Sequence, residues 1–360
     1  MPGIQLLNRT TCPHCWKKFP PEDILWISSH SDLRGDPRLG PDHQQRFLPT
    51  RFTIEGNALD ARNFVCHRLA CPGCHLVVPA QLLETEPSFV SILGTPACGK
   101  SFFLAAMTWE LKRVLPAYFN LSFTSTDPTG NRILEDYQES LFNHPTADRL
   151  VPLAALIHKT ELQGGQYDTV SYGTQTVSYP RPFLFTLRPL ERHPNARAAH
   201  KVSRVLALYD NAGEHFQPGQ ETTASPVTRH MAEATVLVYL FDPMQDPHFR
   251  QQVTKTNPKV AALASPPARQ ETVLYEAANR VRQSLGLPAA ARHGRPLLVV
   301  VTKADLWGHM LQDGDWREPW NPGKEALAGL DVARIEQRSA NLRALLNSIC
   351  PEVVGAAEDF

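Results

Sequence analysis

Ser88-Phe-Val-Ser-Ile-Leu-Gly94-Thr-Pro-Ala-Cys-Gly99-Lys100-Ser101 is an apolar run that breaks into two glycines, a lysine and a serine. Ser88 to Leu93 read as a buried strand. Gly94 to Ser101 fit the pattern G-x-x-x-x-G-K-[ST]. Gly94 and Gly99 allow the tight turn that faces successive N–H groups inward. Those groups and the following helix N-terminus attract phosphate. Thr95, Pro96, Ala97 and Cys98 fill the loop, and Phe102 continues into the helix. Lys100 is expected to bridge the β- and γ-phosphates, and Ser101 to ligate Mg²⁺. Cys98 reads as a small residue that fits rather than as a redox-sensitive thiol.

Outward from this loop, residues 86–360 alternate apolar runs with helical patterns, the mark of an α/β sheet. Phe103, Leu104, Met107, Leu111, Val114 and Leu115 share one helical face over 101–115, and Pro116 is expected to stop that helix. Strands are expected at 120–124, 183–187, 202–209, 234–241 and 297–301, and helices at 132–142, 268–285 and 331–349. Residues 143–180 are polar and Gly- and Thr-rich and give no clear element. No internal repeat is visible.

Two further motifs follow apolar runs. Leu206-Ala-Leu-Tyr-Asp210-Asn-Ala-Gly213-Glu214 ends a strand in Asp-x-x-Gly. Asp210 can hold Mg²⁺, usually through water, and Gly213 can offer its N–H to a γ-phosphate and lose that bond after hydrolysis. Leu297-Leu-Val-Val-Val-Thr302-Lys303-Ala-Asp305 ends in T-K-x-D. Asp305 can accept from the guanine ring N–H and exocyclic amine together, while adenine offers the wrong donors. The Lys303 stem can cover the base face. The competing reading makes Asp305 an ordinary helix N-cap.

Residues 1–85 are of another kind. Cys12-Pro-His-Cys15 and Cys71-Pro-Gly-Cys74 form two C-x2-C turns, with residues 16–70 between them. Two such turns can close four thiolates around Zn²⁺. The long separation implies an insertion, with Gly40-Pro41 among its turn residues. A thioredoxin-like redox pair would need a βαβ context that this region lacks. His14, His67 and His75 read as flanking residues and Cys66 as a structural spare.

Composition sets outer bounds. The chain has 360 residues, 42% of them hydrophobic, with 36 basic against 36 acidic side chains. It can bury a full core, and its flat charge balance does not select bulk nucleic acid or a membrane surface. Composition does not point to nucleic acid as a partner, and the four-cysteine region at 1–85 leaves that partner open. No stretch nears the roughly 18 apolar residues of a membrane span, and the first residues carry no signal-peptide h-region. The cytoplasm, where thiols stay reduced, is the expected location.

The three motifs, in this order, resemble the translation-factor-related class of P-loop GTPases, to which Ras-like proteins belong. The resemblance covers about 86–360, and Asp210-Asn-Ala-Gly-Glu214 parallels that class's Asp-Thr-Ala-Gly-Gln/Glu. More narrowly, the Cys-Pro-x-Cys start, Leu69-Ala-Cys-Pro-Gly-Cys-His-Leu76 and Tyr179-Pro-Arg-Pro-Phe-Leu-Phe185 are similar to bacterial double-GTPase-type proteins of conflict systems. The resemblance implies a mostly parallel P-loop NTPase sheet flanked by helices, with a zinc ribbon at 1–85 and a GTPase domain at 86–360. It further implies GTP/GDP and Mg²⁺ as ligands, slow hydrolysis and a protein partner that stimulates it.

Three departures from the class stand out. Glu214 occupies the place of a water-orienting Gln, with His215 the next candidate for that work. Thr302 replaces the commoner Asn, which shortens a loop tether. The last base-contacting loop should follow a strand after 331–349, but the chain stops where that strand should begin, as a truncated chain would. Switch I should supply a Thr to Mg²⁺. Thr160, in Lys159-Thr160-Glu161, is the choice over Thr169, Thr174 and Thr176, though it fits a solvent-facing Thr equally. The expected function is a GTP-binding, GTP-hydrolysing switch, with a non-hydrolysing GTP-dependent scaffold and a P-loop ATPase as rivals.

Overall fold

A computed structural model describes residues 5–143, 167–210, 229–258, 266–311, 316–321 and 329–360. A six-stranded sheet organises it. Its strands are β1 (Pro87–Leu93), β2 (Leu121–Ser125), β3 (Phe183–Pro189), β4 (Arg204–Asp210), β5 (Val236–Phe241) and β6 (Leu297–Val301). They lie in the order β2-β3-β4-β1-β5-β6. β4, β1, β5 and β6 run parallel, and β3 is antiparallel to both β2 and β4. The expected strands all form, within a residue or two at each end.

Register explains which chain ends meet. Asp210 pairs with Ile92, so β4 delivers its last residue beside the loop that opens at Gly94. Phe241 pairs with Val301, so Asp242 and Thr302 leave the sheet side by side. β1 lies between β4 and β5: the connection leaving β1 runs to the β2 side of the sheet, and the one leaving β4 crosses to β5 on the other side. That is a topological switch point, the place where open α/β sheets gather ligands beyond their strand ends.

The two sheet faces are covered differently. Helix α1 (Lys100–Phe119) and α2 (Pro128–Phe142) cover one face. There Leu104, Ala105, Leu134 and Tyr137 pack on Ile92, Phe185, Leu208 and Leu240, with Phe103, Met107, Leu111 and Leu115 against them. On the other face, Leu237, Tyr239 and Phe241 of β5 meet Leu274, Ala277 and Val281 of α4 (Glu271–Leu285). α3 (Pro247–Thr256), α5 (Val332–Ile349) and α6 (Pro351–Asp359) complete that cluster. Over β1 and β4 the same face is covered by the cysteine-rich region. Phe89, Val205, Ala207 and Tyr209 pack there with Cys12, Trp16, Leu76, Val78 and Leu82. A mostly parallel sheet needs both faces covered, and here a cysteine-built layer supplies part of one.

Two expectations are corrected, and one unassigned stretch gains an element. Pro116 does not stop α1, which continues to Phe119 and ends on left-handed Asn120. Proline loses its own bond to the carbonyl four residues back and crowds that carbonyl, but the last turn still closes, with Asn120 N donating to Leu115 O. The C-terminal segment is a helix, not the start of a strand. Pro351 sits at its first turn, and Val353, Val354 and Ala356 are buried at helical spacing. Within 143–180, Tyr167–Tyr172 and Gln175–Pro180 form a hairpin closed by Gly173-Thr174, with Gly173 at φ 67°. Its Val170 and Tyr179 pack on the cysteine-rich layer.

Candidate nucleotide site and metal centre

Two C-x2-C turns close two short hairpins. Cys12–Cys15 lie between Thr10–Thr11 and Lys18–Phe19, and Cys71–Cys74 between Leu69–Ala70 and Val77–Val78. The turns repeat each other bond for bond. Trp16 N donates to Cys12 O at 3.1 Å, and His75 N to Cys71 O at 3.0 Å. Cys12 N donates to Lys17 O and Cys71 N to Leu76 O, both at 3.0 Å. His14 N donates to Cys12 Sγ at 3.3 Å, and Gly73 N to Cys71 Sγ at 3.2 Å. Trp16 and His75, the residues after each turn, are both left-handed, at φ 55° and 63°.

The four sulfurs lie within 4.8 Å of one another and are buried. Cys12–Cys74 and Cys15–Cys71 are 3.8 and 3.7 Å apart. A tetrahedral site with metal–sulfur bonds of about 2.3 Å has sulfur–sulfur edges of about 3.8 Å, whereas a disulfide needs about 2.05 Å. The donor set therefore fits a metal ion such as zinc, and the backbone N–H groups aimed at sulfur favour thiolates. Cys66 is buried outside this cluster, its thiol 3.6 Å from Phe64 O. His75 Nδ1 pairs with buried Asp36 at 2.8 Å and His14 Nε2 meets Val77 O at 3.1 Å, so both flank the cluster.

The equivalent slots after the two turns carry different anchors. His75 holds the cysteine-rich layer together through Asp36. Trp16 reaches the sheet, where its Nε1 donates to the Tyr209 hydroxyl at 3.1 Å. That hydroxyl donates in turn to Pro13 O at 2.6 Å. His230 stacks on the Tyr209 ring at 4.7 Å. The residue next to Asp210 is thus bonded directly to the Cys12–Cys15 turn.

At the end of β1 the chain turns through Gly94, left-handed Ala97 (φ 61°) and Gly99 (φ 99°) into α1. A Cβ on Gly94 would lie 2.6 Å from Cys98 Sγ and 2.9 Å from Leu240 O, so only glycine fits. Lys100 is buried and folds back into the loop, donating to Gly94 O at 3.1 Å and Thr95 O at 2.8 Å. Ser101 Oγ donates to Asp210 Oδ2 at 2.7 Å. Phe102 is half-buried in the first turn of α1. Burial pushes the Cys98 thiol up, which suits an inert packing residue more than a reactive thiolate.

Thr302 is tied to the end of β5, its N and Oγ1 both donating to Phe241 O, at 2.9 and 3.2 Å. Its short side chain therefore tethers the loop to backbone. Lys303 Nζ bonds Asp242 Oδ2 at 2.7 Å. Asp305 is not an N-cap, since the helix Ala304–Trp307 is capped by Lys303 and Asp305 lies in its first turn. It is exposed and lines an open cavity of about 350 Å³ with Ala304, Gly308, His309 and Trp316. Gly213, Glu214, His215 and Thr160 lie outside the described residues. Thr169, Thr174 and Thr176 are exposed on the hairpin that packs against the cysteine-rich layer.

Asp242, Gln245, Trp16 and Tyr209 are structurally central, and sequence reasoning missed them. A signal existed for Asp242: it follows an apolar strand run, just as Asp210 does.

The molecule is a mixed α/β protein, with a mostly parallel six-stranded sheet flanked by helices and a four-cysteine cluster that could hold a metal. No protein-family model matches the chain. Over 256 residues it is 25% identical to a protein of Mycolicibacterium smegmatis (strain ATCC 700084 / mc(2)155) named for ESX-1 scaffolding and assembly, SaeC. The match covers 68% of this chain and 56% of that protein, so the chain spans about half the length of this relative. Among the described residues no helix is long and apolar enough to cross a membrane.

Proposed function

We propose that the chain is a Mg²⁺-dependent GTP-binding and GTP-hydrolysing switch, with a zinc ribbon at 1–85 built against its GTPase domain at 86–360. The observation that carries this reading is the meeting of Ser101 and Asp210, at 2.7 Å across 109 residues of sequence, beside a glycine loop that holds Lys100. Those are the two side chains expected to hold Mg²⁺ and the one expected to neutralise phosphate charge. The T-K-A-D loop, tied to the same sheet two strands away, supports guanine as the base. Lys100 then screens the β- and γ-phosphates, and Asp305 accepts from the base. Zinc fits the four-thiolate set best, as a closed structural site without an open ligand position.

Isothermal titration of Mg·GTP and Mg·ATP against the chain and its Lys100→Ala variant tests the reading. GTP is expected to bind more tightly, with Lys100→Ala abolishing both. Equal affinities, or tighter ATP, would sink the guanine assignment. Zinc is expected at one ion per chain by elemental analysis of the purified protein.

A second reading is favoured by the relative named for scaffolding and assembly: a GTP-dependent scaffold that binds protein partners without hydrolysis. Phosphate release over hours separates the two. Turnover that vanishes in Lys100→Ala supports the switch, and tight GTP binding without turnover supports the scaffold.

A further inference from the structure

A buried polar network joins the glycine loop to the T-K-A-D loop. Asp242 follows β5 and is 0% exposed. Its Oδ2 accepts from Lys303 Nζ at 2.7 Å, and its Oδ1 from Met244 N at 2.9 Å. Gln270 clamps the same residue by its backbone: Gln270 Oε1 accepts from Asp242 N, and Gln270 Nε2 donates to Asp242 O, both at 2.8 Å. The turn held this way presents Gln245, whose N donates to Asp242 O at 3.0 Å. Gln245 Oε1 accepts from Thr95 Oγ1 at 2.6 Å, and Gln245 Nε2 donates to Pro96 O at 2.9 Å. One end of the network therefore grips the loop after β1, and the other grips the loop after β6.

Burial makes these bonds stiff. Thr95, Asp242, Gln245 and Gln270 are all almost wholly enclosed. Polar groups placed there are costly to leave unpaired, and a buried carboxylate most of all. Lys303 is therefore held where Asp242 is, and Asp242 is held where Gln270 and Met244 fix it. The Thr95–Pro96 backbone is held to the same turn.

We propose that Asp242 and Gln245 are positioning residues that lock the base-reading loop and the phosphate loop into one frame. This rests on the nucleotide reading above. Asp242 acts through Lys303, and so on the placement of Asp305 two residues on. Gln245 acts through Thr95 and Pro96, and so on the phosphate cradle. The two arms have different signatures. Cutting the Asp242 arm relaxes the choice between guanine and adenine. Cutting the Gln245 arm weakens any triphosphate equally, because every nucleotide shares that end.

Titration of the full chain with Mg·GTP and Mg·ATP tests this, on wild type, Asp242→Asn, Gln245→Leu, Thr95→Val, Lys303→Met and the Asp242→Asn/Lys303→Met double variant. Asp242→Asn is expected to lower the GTP-to-ATP affinity ratio about tenfold, with ATP affinity little changed. Gln245→Leu is expected to weaken both nucleotides about tenfold at constant ratio, because the loop it holds shifts. Thr95→Val cuts the same arm from the loop side and should repeat Gln245→Leu, which keeps the test open if one variant fails to fold. The double variant should be no worse than Lys303→Met alone, as residues acting through one contact are not additive. Melting temperatures are recorded alongside, since a merely structural role moves them and leaves the ratio alone. An unchanged ratio in Asp242→Asn, or additive losses in the double variant, overturns the inference while wild-type GTP preference stands. A wild-type chain that binds neither nucleotide removes the nucleotide reading itself, and the inference with it.

Discussion

One face of the sheet has two covers, built on different chemistry. Over β5, the helices α4, α5 and α6 bring apolar side chains at helical spacing, and Leu274, Ala277, Val281 and Val353 are nearly or fully enclosed. Over β1 and β4, the cysteine-rich layer has strands of only two to five residues. Such strands do not hold themselves. Their order comes from the sulfur cluster and from buried carboxylates used as staples. Asp60 accepts from the backbone N–H groups of Ser29, His30, Arg62 and Phe64. Asp36 accepts from Arg38 and Leu39 and pairs with His75. A sheet face can thus be closed by apolar area or by a few strong directed bonds. The second route concentrates the dependence in a handful of atoms.

Metal removal should break the comparison most sharply. Structural tetrathiolate zinc contributes about 10–16 kcal/mol of apparent binding energy at neutral pH, so a strong chelator should unfold the cysteine cover. Hydrogen exchange would show Thr10–Phe19 and Leu69–Val78 losing protection before β5 does. Simultaneous loss everywhere would mean that the two covers do not differ in this way. Next comes Trp16→Ala, which removes the side chain shared by the turn and the sheet. It should cost about 3–5 kcal/mol in chemical denaturation. Gly94→Ala tests the sheet side, where the added Cβ meets Cys98 Sγ and Leu240 O. A loss of about 1–3 kcal/mol is expected there, with the cysteine layer's exchange unaffected.

The smallest effect is a pH dependence confined to the cysteine layer. Burial alone pushes Asp60 up, but its backbone N–H donors outweigh it and hold the carboxyl below the usual range. A lowered folded value means that the group contributes stability above the ordinary carboxylate range. That contribution fades as pH falls through the folded value. Asp60→Asn should flatten this acid limb of the stability curve, and an unchanged limb would assign it to other groups.

Much of the sheet was legible because its strands are uniform apolar runs. Ser88–Leu93, Ala234–Phe241 and Leu297–Val301 read directly, the second starting two residues early, as did the loop residues that interrupt them. The meeting of Cys12, Cys15, Cys71 and Cys74 was legible from spacing alone. What escaped was non-local. Trp16 and Tyr209 meet across 193 residues, and no periodicity records that contact. The hairpin at 167–180 escaped because Tyr167-Asp-Thr-Val-Ser-Tyr172 carries polar residues on both sides of its pleat. Pro116 misled for a local reason, since it lies near a helix end, where propensity is a weak guide. The C-terminal strand was expected from the resemblance, and Pro351–Asp359 form a helix there instead. The pairing of Ser101 with Asp210 was anticipated only as shared ligation, and the network behind them was not.

The bond between Trp16 and Tyr209 also sets an order of events during synthesis. At 5–20 residues per second, the 193 residues between them take about 10–40 s to emerge. Through that interval the first cysteine turn has no sheet to rest on, and its second pair arrives long before β4 does. If the four thiolates hold a metal as proposed, its capture would have to organise the nascent cysteine layer through that interval, and a chain made without metal would leave part of one sheet face bare.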